Sequence, residues 1–193
     1  MAIKRKINVF LNILMVISVL LCTLAIVIKT AFMQIVVNGN SMNPTIDNGA
    51  KGYMLKVNKL TKIDRFDVVA CDLDKTGFYI IKRVVGLPNE KIELVDNELI
   101  VNGNVVKQDF TFIPSTKNFK TTSFALAENQ YLLVGDNRIE TIEPVIAFHS
   151  DLVAKNGFAY ATYDVTSEKC KASTDYSSCP IDNRKWYKFK YGK

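Results

Sequence analysis

The residues of this chain that could carry out chemistry are a serine and a lysine rather than a set of histidines. The sequence has one histidine, His149, so a multi-histidine metal site is impossible, and the spacing of its four cysteines follows no zinc pattern. His149 could serve a serine as a base, but a lone histidine beside Phe148 is more typical of a structural or surface residue. We predict no metal and no other cofactor. A Ser-His-Asp triad that includes His149 is the weaker alternative for activating a serine.

Lys82 is the lysine whose surroundings best suit a general base. In the segment YIIKRVVG, strand alternation places Lys82 on one face with Ile80 and Val84, and Arg83 on the opposite face. An amine among aliphatic side chains loses hydration, which lowers its pKa from about 10.4 and favours the neutral form that can take a proton from a serine. A lysine that extends from an edge strand into solvent is the competing interpretation.

Ser41 lies in the segment NGNSMNPT, whose composition is typical of a tight turn. Gly39 and the asparagines permit unusual backbone angles, and Pro44 fixes the exit from the turn. The residue types alone indicate nothing more. The position is more informative, because Ser41 lies only twelve residues beyond Lys29, which flanks an apolar N-terminal segment.

That apolar segment, residues 7–28, is long enough to cross a lipid bilayer. It contains no charged residue, and at about 1.5 Å per residue a helix of this length spans the roughly 30 Å hydrocarbon layer. Three cations lie in residues 1–6, so the positive-inside rule places those residues in the cytoplasm and the rest of the chain outside. We predict an uncleaved single-pass anchor in the plasma membrane; a cleaved signal peptide is the alternative.

The charge of the remaining chain argues against a nucleic-acid partner. The protein has 25 basic and 19 acidic residues, but four of the basic residues lie in the first 29 positions, which leaves 21 against 19 beyond them. A net charge of +2 over residues 30–193 lacks the concentrated basic face of a nucleic-acid binder.

The sequence beyond the anchor predicts a mainly β fold. Short runs of β-branched and aromatic residues are separated by turn-forming Asn, Asp, Gly and Pro. Asp96-Asn97 and Asn102-Gly103 each lie between two such runs, and Asn-Gly is a strong signal for a two-residue hairpin. These residues predict a three-stranded meander over residues 91–107.

The predicted organisation is an extracytoplasmic β domain over residues 29–165, with a β-hairpin lobe at 90–130. Residues 113–125 and 166–183 are polar and are predicted to be loops. Residues 166–193 form a basic and aromatic tail, which could contact lipid headgroups or form an edge strand.

The four cysteines suggest no catalytic chemistry. Cys22 lies in the apolar segment and Cys71 in a predicted strand. Cys170 and Cys179 lie in a polar loop, where either a disulfide or two free thiols would be acceptable.

Four motifs, in order along the chain, resemble those of bacterial type I signal peptidases, which are membrane-bound Ser-Lys proteases. The nucleophile motif S-M-x-P-T is present at residues 41–45, and the lysine motif K-R-V-V-G-L-P is complete at residues 82–88. Phe66 and Asp67 correspond to the start of G-D-x-V-V, and G-D-N-R is intact at residues 135–138. The resemblance covers roughly residues 5–160. It is to the short forms of Gram-positive bacteria in particular.

The resemblance implies a role for each residue at these motifs. Ser41 would be the nucleophile and Lys82 the general base. The amide of Ser41, with the neighbouring segment of Gly39 and Asn40, would form the oxyanion site.

The resemblance also implies a fold and a mode of substrate binding. The catalytic domain would be a twisted all-β unit with a smaller β lobe, resting on the membrane. Extended segments near residues 35–40 and 79–82 would hold the substrate as an added strand. Val37, Met42 and Ile80 would line shallow pockets for its small side chains.

The chain departs from the family pattern after the G-D-N-R motif. Thr141 can supply the hydroxyl that orients the lysine, and Glu143 can pair with Arg83, whereas residues 144–145 replace a serine and an arginine. Asn89 replaces a glycine of the lysine motif, which is a mild change because asparagine tolerates positive φ. The predicted structural supports of the site are Arg83, Asp136, Asn137, Arg138 and Glu143.

Two functions follow from this resemblance. The leading hypothesis is a serine endopeptidase that removes signal peptides from exported preproteins after small-x-small sites. The alternative is a non-proteolytic assembly factor that docks pilin or other surface-protein subunits. Retention of both Ser41 and Lys82 favours catalysis, and a self-cleaving repressor conflicts with the membrane segment.

Overall fold

The structure of the chain is a computed structural model, which describes residues 2–115, 122–139, 143–163, 181–182 and 187–188. The expectations for Thr141, for a Cys170–Cys179 bond and for most of the tail therefore lie outside the described residues. Two compact units divide the chain after Met33, and each is described by itself.

The N-terminal unit contains a single helix, α1, which extends from Ala2 to Ala31. Its apolar part, Lys4–Ala31, is long and apolar enough to cross a membrane, and none of it is buried within the protein. The predicted membrane segment at residues 7–28 lies entirely within this helix.

The second unit is mainly β, as predicted. Its large sheet has the strand order β1-β2-β11-β3-β4-β9-β10, with β12 and β13 paired to β11, and its small sheet has the order β7-β6-β5-β8. The strands are β1 (Phe32–Val36), β2 (Ala50–Lys56), β3 (Val68–Cys71), β4 (Ile80–Gly86), β5 (Lys91–Val95), β6 (Glu98–Val101), β7 (Asn104–Val106), β8 (Thr122–Ala125), β9 (Gln130–Val134), β10 (Val145–Phe148), β11 (Leu152–Tyr163), β12 (Ile181–Asp182) and β13 (Tyr187–Lys188), with a short 3-10 helix at His149–Asp151.

The predicted three-stranded meander is confirmed as β5, β6 and β7. Consecutive strands pair in antiparallel register. Both predicted turns have positive φ at their central residues, at 46° and 72° for Asp96-Asn97 and at 50° and 82° for Asn102-Gly103. Asn, Asp and Gly tolerate this backbone, so the local sequence alone specifies these hairpins.

Two of the predicted loops contain strands. Residues 113–125 were expected to be irregular, but Thr122–Ala125 forms β8, which pairs with β5 through main-chain hydrogen bonds. Residues 166–183 likewise include the short strand β12, which pairs with β11. These predictions were wrong because main-chain pairing with a neighbouring strand does not require an apolar sequence.

Among the described residues, two hydrophobic clusters lie in the core of the β unit, one within the large sheet and one between the small sheet and β9. Gly86 of the lysine motif lies against the second cluster. A Cβ atom at this position would lie 2.7 Å from Leu126 Cδ1 and 2.8 Å from Ile92 Cγ1, so only glycine allows β4 to approach the small sheet so closely.

Candidate active site

Ser41 and Lys82 line the same cleft, which has a volume of about 390 Å³. One wall is formed by β1 and the segment that follows it, and the other by the residues that lead into β4. Six of the residues predicted to act in catalysis or substrate binding line this cleft: Val37, Gly39, Ser41, Met42, Ile80 and Lys82. The large sheet therefore curves so that its first and fifth strands face each other.

Both walls of the cleft present strand edges. β1 stands at the end of the large sheet, and Val37 makes its main-chain hydrogen bonds with Gly49 and Ala50 on the β2 side. In β4, pairing with β9 begins only at Arg83. Within the described residues, the second edge of Ile80 and Ile81 therefore has no neighbouring strand.

Lys82 is partly buried at the base of this cleft. Loss of hydration lowers the pKa of its ammonium group below 10.5, and the negative charge of Asp136 opposes this shift. Strand alternation, predicted from the sequence, thus gives Lys82 the apolar surroundings that favour a neutral amine.

Ser41 is held in a turn that is fixed from both sides. The amide of Asn43 donates to the carbonyl of Asn40 at 3.0 Å, and the carbonyl of Ser41 itself accepts from the amide of Asn137 at 2.9 Å. Gly39 has a φ of +116° with open space around its missing Cβ, so the backbone conformation, and not crowding, favours glycine there.

The segment expected to form the oxyanion site includes one amide that is already occupied. The amide of Gly39 already donates to Asn48 Oδ1 at 3.0 Å, so Gly39 does not supply a donor to the cleft. The amides of Asn40 and Ser41 have no acceptor among the described residues. The two donors that remain available are thus those next to the serine hydroxyl.

Behind the cleft, Arg83 lies in a fully buried polar network. Its Nε donates to Asp136 Oδ1 at 2.7 Å, and its Nη2 donates to Asp136 Oδ2 at 2.5 Å. Thr45 Oγ1 donates to the same carboxylate at 2.5 Å and accepts from Arg83 Nη2 at 3.1 Å. The network joins the nucleophile, lysine and G-D-N-R motifs.

This network corrects the expected partner of Arg83. Glu143 was predicted to pair with it, but the carboxylate beside Arg83 belongs to Asp136, and Glu143 is exposed. The register of the sheet explains the result. Arg83 lies opposite Val134, so Asp136, only two residues further along, reaches the same guanidinium.

Aromatic rings cover the network. The guanidinium of Arg83 lies 4.1 Å from the ring centroid of Phe110, and that of Arg138 lies 4.0 Å from the centroid of Phe112. Phe66, which replaces a glycine of the family motif, has a φ of +69° and packs against Phe110 with ring centroids 5.2 Å apart. Asn89 likewise takes a positive φ, of 64°, at the other expected glycine position.

His149 lies outside the cleft. Its Nε2 atom is 3.0 Å from the carbonyl oxygen of Thr61, and its ring packs against Tyr131. The structural interpretation of this histidine therefore holds, and a Ser-His-Asp triad has no support from its position. Cys71 is buried, and loss of hydration raises the pKa of its thiol to about 12, which makes it a poor nucleophile.

Some functional residues were not predicted from the sequence. Thr45 belongs to the nucleophile motif, but nothing in a linear motif shows that its hydroxyl reaches Asp136. Asn48 and Phe110 have no chemical signature, because their roles depend on contacts made only in the fold. Ala70 lines the cleft, yet in the sequence it is one of several apolar residues of a strand.

Comparisons with known proteins agree with the motifs. The family model described as signal peptidase, peptidase S26, matches residues 10–141. Signal peptidase I V of Bacillus subtilis strain 168 is 37% identical over 137 residues, which cover 62% of this chain and 79% of that protein. Signal peptidase I of Bacillus amyloliquefaciens is 25% identical over 152 residues, or 74% of this chain and 78% of that protein.

A solved structure is also similar. The crystal structure of a signal peptidase I from Enterococcus faecalis V583 is 22% identical, with a TM-score of 0.41, and the match covers 49% of this chain and 96% of that one. The family model alone spans more than half of the chain and includes both Ser41 and Lys82. This chain belongs to the S26 family of signal peptidases, the peptidases that remove signal peptides.

Proposed function

We propose that this protein is a membrane-anchored serine endopeptidase in which Ser41 is the nucleophile and Lys82 the general base. The observation that carries the proposal is that both residues line one cleft, where burial lowers the pKa of the lysine. The preproteins whose signal peptides it removes are its substrates, and the reaction needs no cofactor.

The substrate is proposed to bind as an added strand. In an antiparallel pair, alternate residues of a strand direct their main-chain groups to opposite sides. Since Val37 bonds to β2, the main-chain groups of Val36 and Asn38 are directed away from that strand. An extended peptide between this edge and the edge of Ile80 and Ile81 would form main-chain hydrogen bonds with both strands.

The apolar floor of the cleft suggests which side chains the substrate carries. Val37 and Met42 are almost fully buried, and Ala70 contributes only a methyl group. Shallow pockets of this kind accept alanine-sized side chains. Because alternate residues of a strand point to the same face, we propose a small-x-small cleavage site.

The proposed chemical steps use Ser41 and Lys82, which line one cleft. Neutral Lys82 Nζ takes the proton of the Ser41 hydroxyl while Oγ attacks the scissile carbonyl carbon, and the amides of Asn40 and Ser41 stabilise the resulting oxyanion. As the C–N bond breaks, the ammonium returns the proton to the leaving amine. Water then hydrolyses the Ser41 ester, with Lys82 again accepting and returning a proton.

Two further assignments support this course. We propose that Thr141 orients the amine of Lys82 through its hydroxyl; a Thr141→Val variant with unchanged kcat would contradict that role. We also propose that residues 1–6 lie in the cytoplasm and the β unit outside, since the cations precede the apolar helix. The short connection from the helix to Ser41 then keeps the nucleophile near the membrane, where a signal peptide emerges.

The test is incubation of the detergent-solubilised protein with a preprotein that carries an A-x-A site. Ser41→Ala should lower the cleavage rate by at least about a thousandfold, as removal of a nucleophile does in serine proteases. Ser123→Ala, at an exposed serine of β8, is the matched control and should cleave normally. Cleavage by Ser41→Ala at the parent rate would refute the mechanism.

A cellular version of the same variant separates catalysis from assembly. If a Ser41→Ala strain still assembles its surface structures, whereas a deletion strain does not, the non-proteolytic role in docking pilin or other surface subunits replaces the enzymatic one. If both strains fail, the peptidase activity is what the cell requires.

A further inference from the structure

One loop of the β unit presents an apolar side chain surrounded by cations. Residues 57–62 connect β2 toward β3, and Leu60 in this loop is 95% exposed. Lys56, Lys59 and Lys62 are exposed beside it. Residues 55–63 contain these three lysines and no acidic residue, and Lys62 Nζ lies 3.1 Å from Asp64 Oδ1 just beyond this range.

The loop holds Leu60 out in a defined conformation. Asn58 Oδ1 accepts from the amide of Leu60 at 2.9 Å, and the amide of Asn58 donates to Thr61 Oγ1 at 2.9 Å. The carbonyl of Thr61 lies 3.0 Å from His149 Nε2, which ties the loop to the body of the domain. Leu60 is therefore presented by a preorganised turn. Binding of Leu60 to a partner would require little further ordering of the loop backbone.

The loop lies at the end of the large sheet where β1 begins. The hydrogen bonds of Val37 with Gly49 and Ala50 show that β1 and β2 are antiparallel, so Lys56, at the end of β2, lies toward the beginning of β1. β1 itself follows directly on α1 in the sequence.

A second loop with exposed aromatic residues begins beside the first. The amide of Val57 donates to Val153 and that of Asp72 to Asp151, both at 2.9 Å, so the two loops start next to each other at the beginning of β11. The second loop ends with Phe78, 84% exposed, and Tyr79, 50% exposed. Apolar and cationic groups thus lie at one end of the domain, where the second loop also contains Asp72 and Asp74.

We propose that the loop of residues 57–62 binds anionic lipid: Leu60 inserts among the acyl chains, and Lys56, Lys59 and Lys62 contact the headgroup phosphates. The charge pattern favours this occupant, because lysines around one apolar side chain match a negatively charged bilayer surface. Nothing in this inference depends on the catalytic chemistry of Ser41.

The experiment uses the full-length Ser41→Ala protein in vesicles, so lipid contact is measured without turnover. A photoreactive p-benzoylphenylalanine replaces Leu60, or Val105 as the control; Val105 is 67% exposed on β7 of the small sheet. Vesicles consist of phosphatidylcholine, with or without about one third phosphatidylglycerol. Crosslinking to lipid should be much stronger from position 60 than from position 105, and stronger with phosphatidylglycerol.

Substitution of the lysines separates headgroup binding from mere proximity to lipid. Lys56→Gln, Lys59→Gln and Lys62→Gln together should lower the phosphatidylglycerol-dependent crosslinking severalfold, since each lysine near an anionic surface changes association by roughly fivefold. High salt should have the same effect. The control, Lys91→Gln with Lys107→Gln on the small sheet, should change nothing. Equal crosslinking from positions 60 and 105 would overturn the proposal. So would a crosslinking yield that changes neither with the phosphatidylglycerol content nor with substitution of the lysines.

Discussion

Lys82 and Arg83 are consecutive residues of β4, yet the strand directs their side chains into opposite surroundings. Lys82 lines the cleft, where loss of hydration lowers its pKa. Arg83 is fully buried on the other face but is held by Asp136, Thr45 and the carbonyl oxygen of Phe66. Loss of hydration is the largest influence on the pKa of Lys82, whereas Arg83 is buried beside a carboxylate.

In the proposed mechanism, one strand provides both the general base, Lys82, and a structural support, Arg83. A guanidinium stays charged and donates in a fixed planar geometry, so it can be buried when a carboxylate and several acceptors surround it. An amine that loses hydration on burial gives up its proton more easily. The pairing of Arg83 with Asp136 also compensates a negative charge that raises the pKa of Lys82.

The largest expected effect comes from making the two residues alike. Lys82→Arg keeps a cation in the cleft but removes the possibility of a neutral base, because a guanidinium does not lose its proton in proteins. We expect the cleavage rate to fall by at least about a thousandfold, as far as in Lys82→Met. Lys91→Arg, at an exposed lysine of β5, is the control. Substantial activity in Lys82→Arg would show that the charge, and not the proton acceptor, is required.

The next largest expected effect concerns Arg83, the buried cation of the pair. Arg83→Met leaves the carboxylate of Asp136 buried without its cation, which should lower the free energy of unfolding by about 3–5 kcal/mol. Chemical denaturation in detergent measures this loss. The double variant Arg83→Met with Asp136→Leu removes both charges and should recover much of the stability. If the single variant is as stable as the parent, the network has no structural role.

The smallest effect has the opposite sign. Lys82→Met replaces a partly buried amine by an apolar side chain of similar length, so it should raise the melting temperature at neutral pH. The folded-state pKa of Lys82 is lowered, so the unfolded chain binds more protons and the stability of the parent rises with pH. The advantage of Lys82→Met should be fully present below the folded pKa and vanish as pH approaches 10.5. If the difference in melting temperature between Lys82→Met and the parent does not change with pH, the gain in stability comes from packing alone.

The sequence predicted those parts of the fold that depend on local chemistry. The turns at Asp96-Asn97 and Asn102-Gly103 follow from residues that tolerate positive φ, and strands such as β3 and β4 follow from continuous β-branched runs. It did not predict β2, AKGYMLK, or β8, TSFA, since neither has a run of β-branched residues. Those strands exist because neighbouring strands offer main-chain partners.

The same division holds for the site. Motifs identified Ser41 and Lys82, and the alternation of β4 placed Arg83 on the other face. The carboxylate partner was wrong, because Glu143 and Asp136 can be distinguished only once the register of β4 and β9 is known. The hydrogen bond from the Gly39 amide to Asn48 Oδ1 could not be predicted either, since it depends on how the chain returns after the turn.

In the proposed mechanism, catalysis depends on the proton affinity of Lys82. NMR titration of the full-length Ser41→Ala protein in detergent, with isotope-labelled lysine amines and the Lys82 signal identified by its absence in Lys82→Met, measures it directly. We predict that Lys82 titrates below 10.5, because burial removes water from its ammonium group. A Lys82 signal that titrates with the exposed lysines would contradict its role as the base.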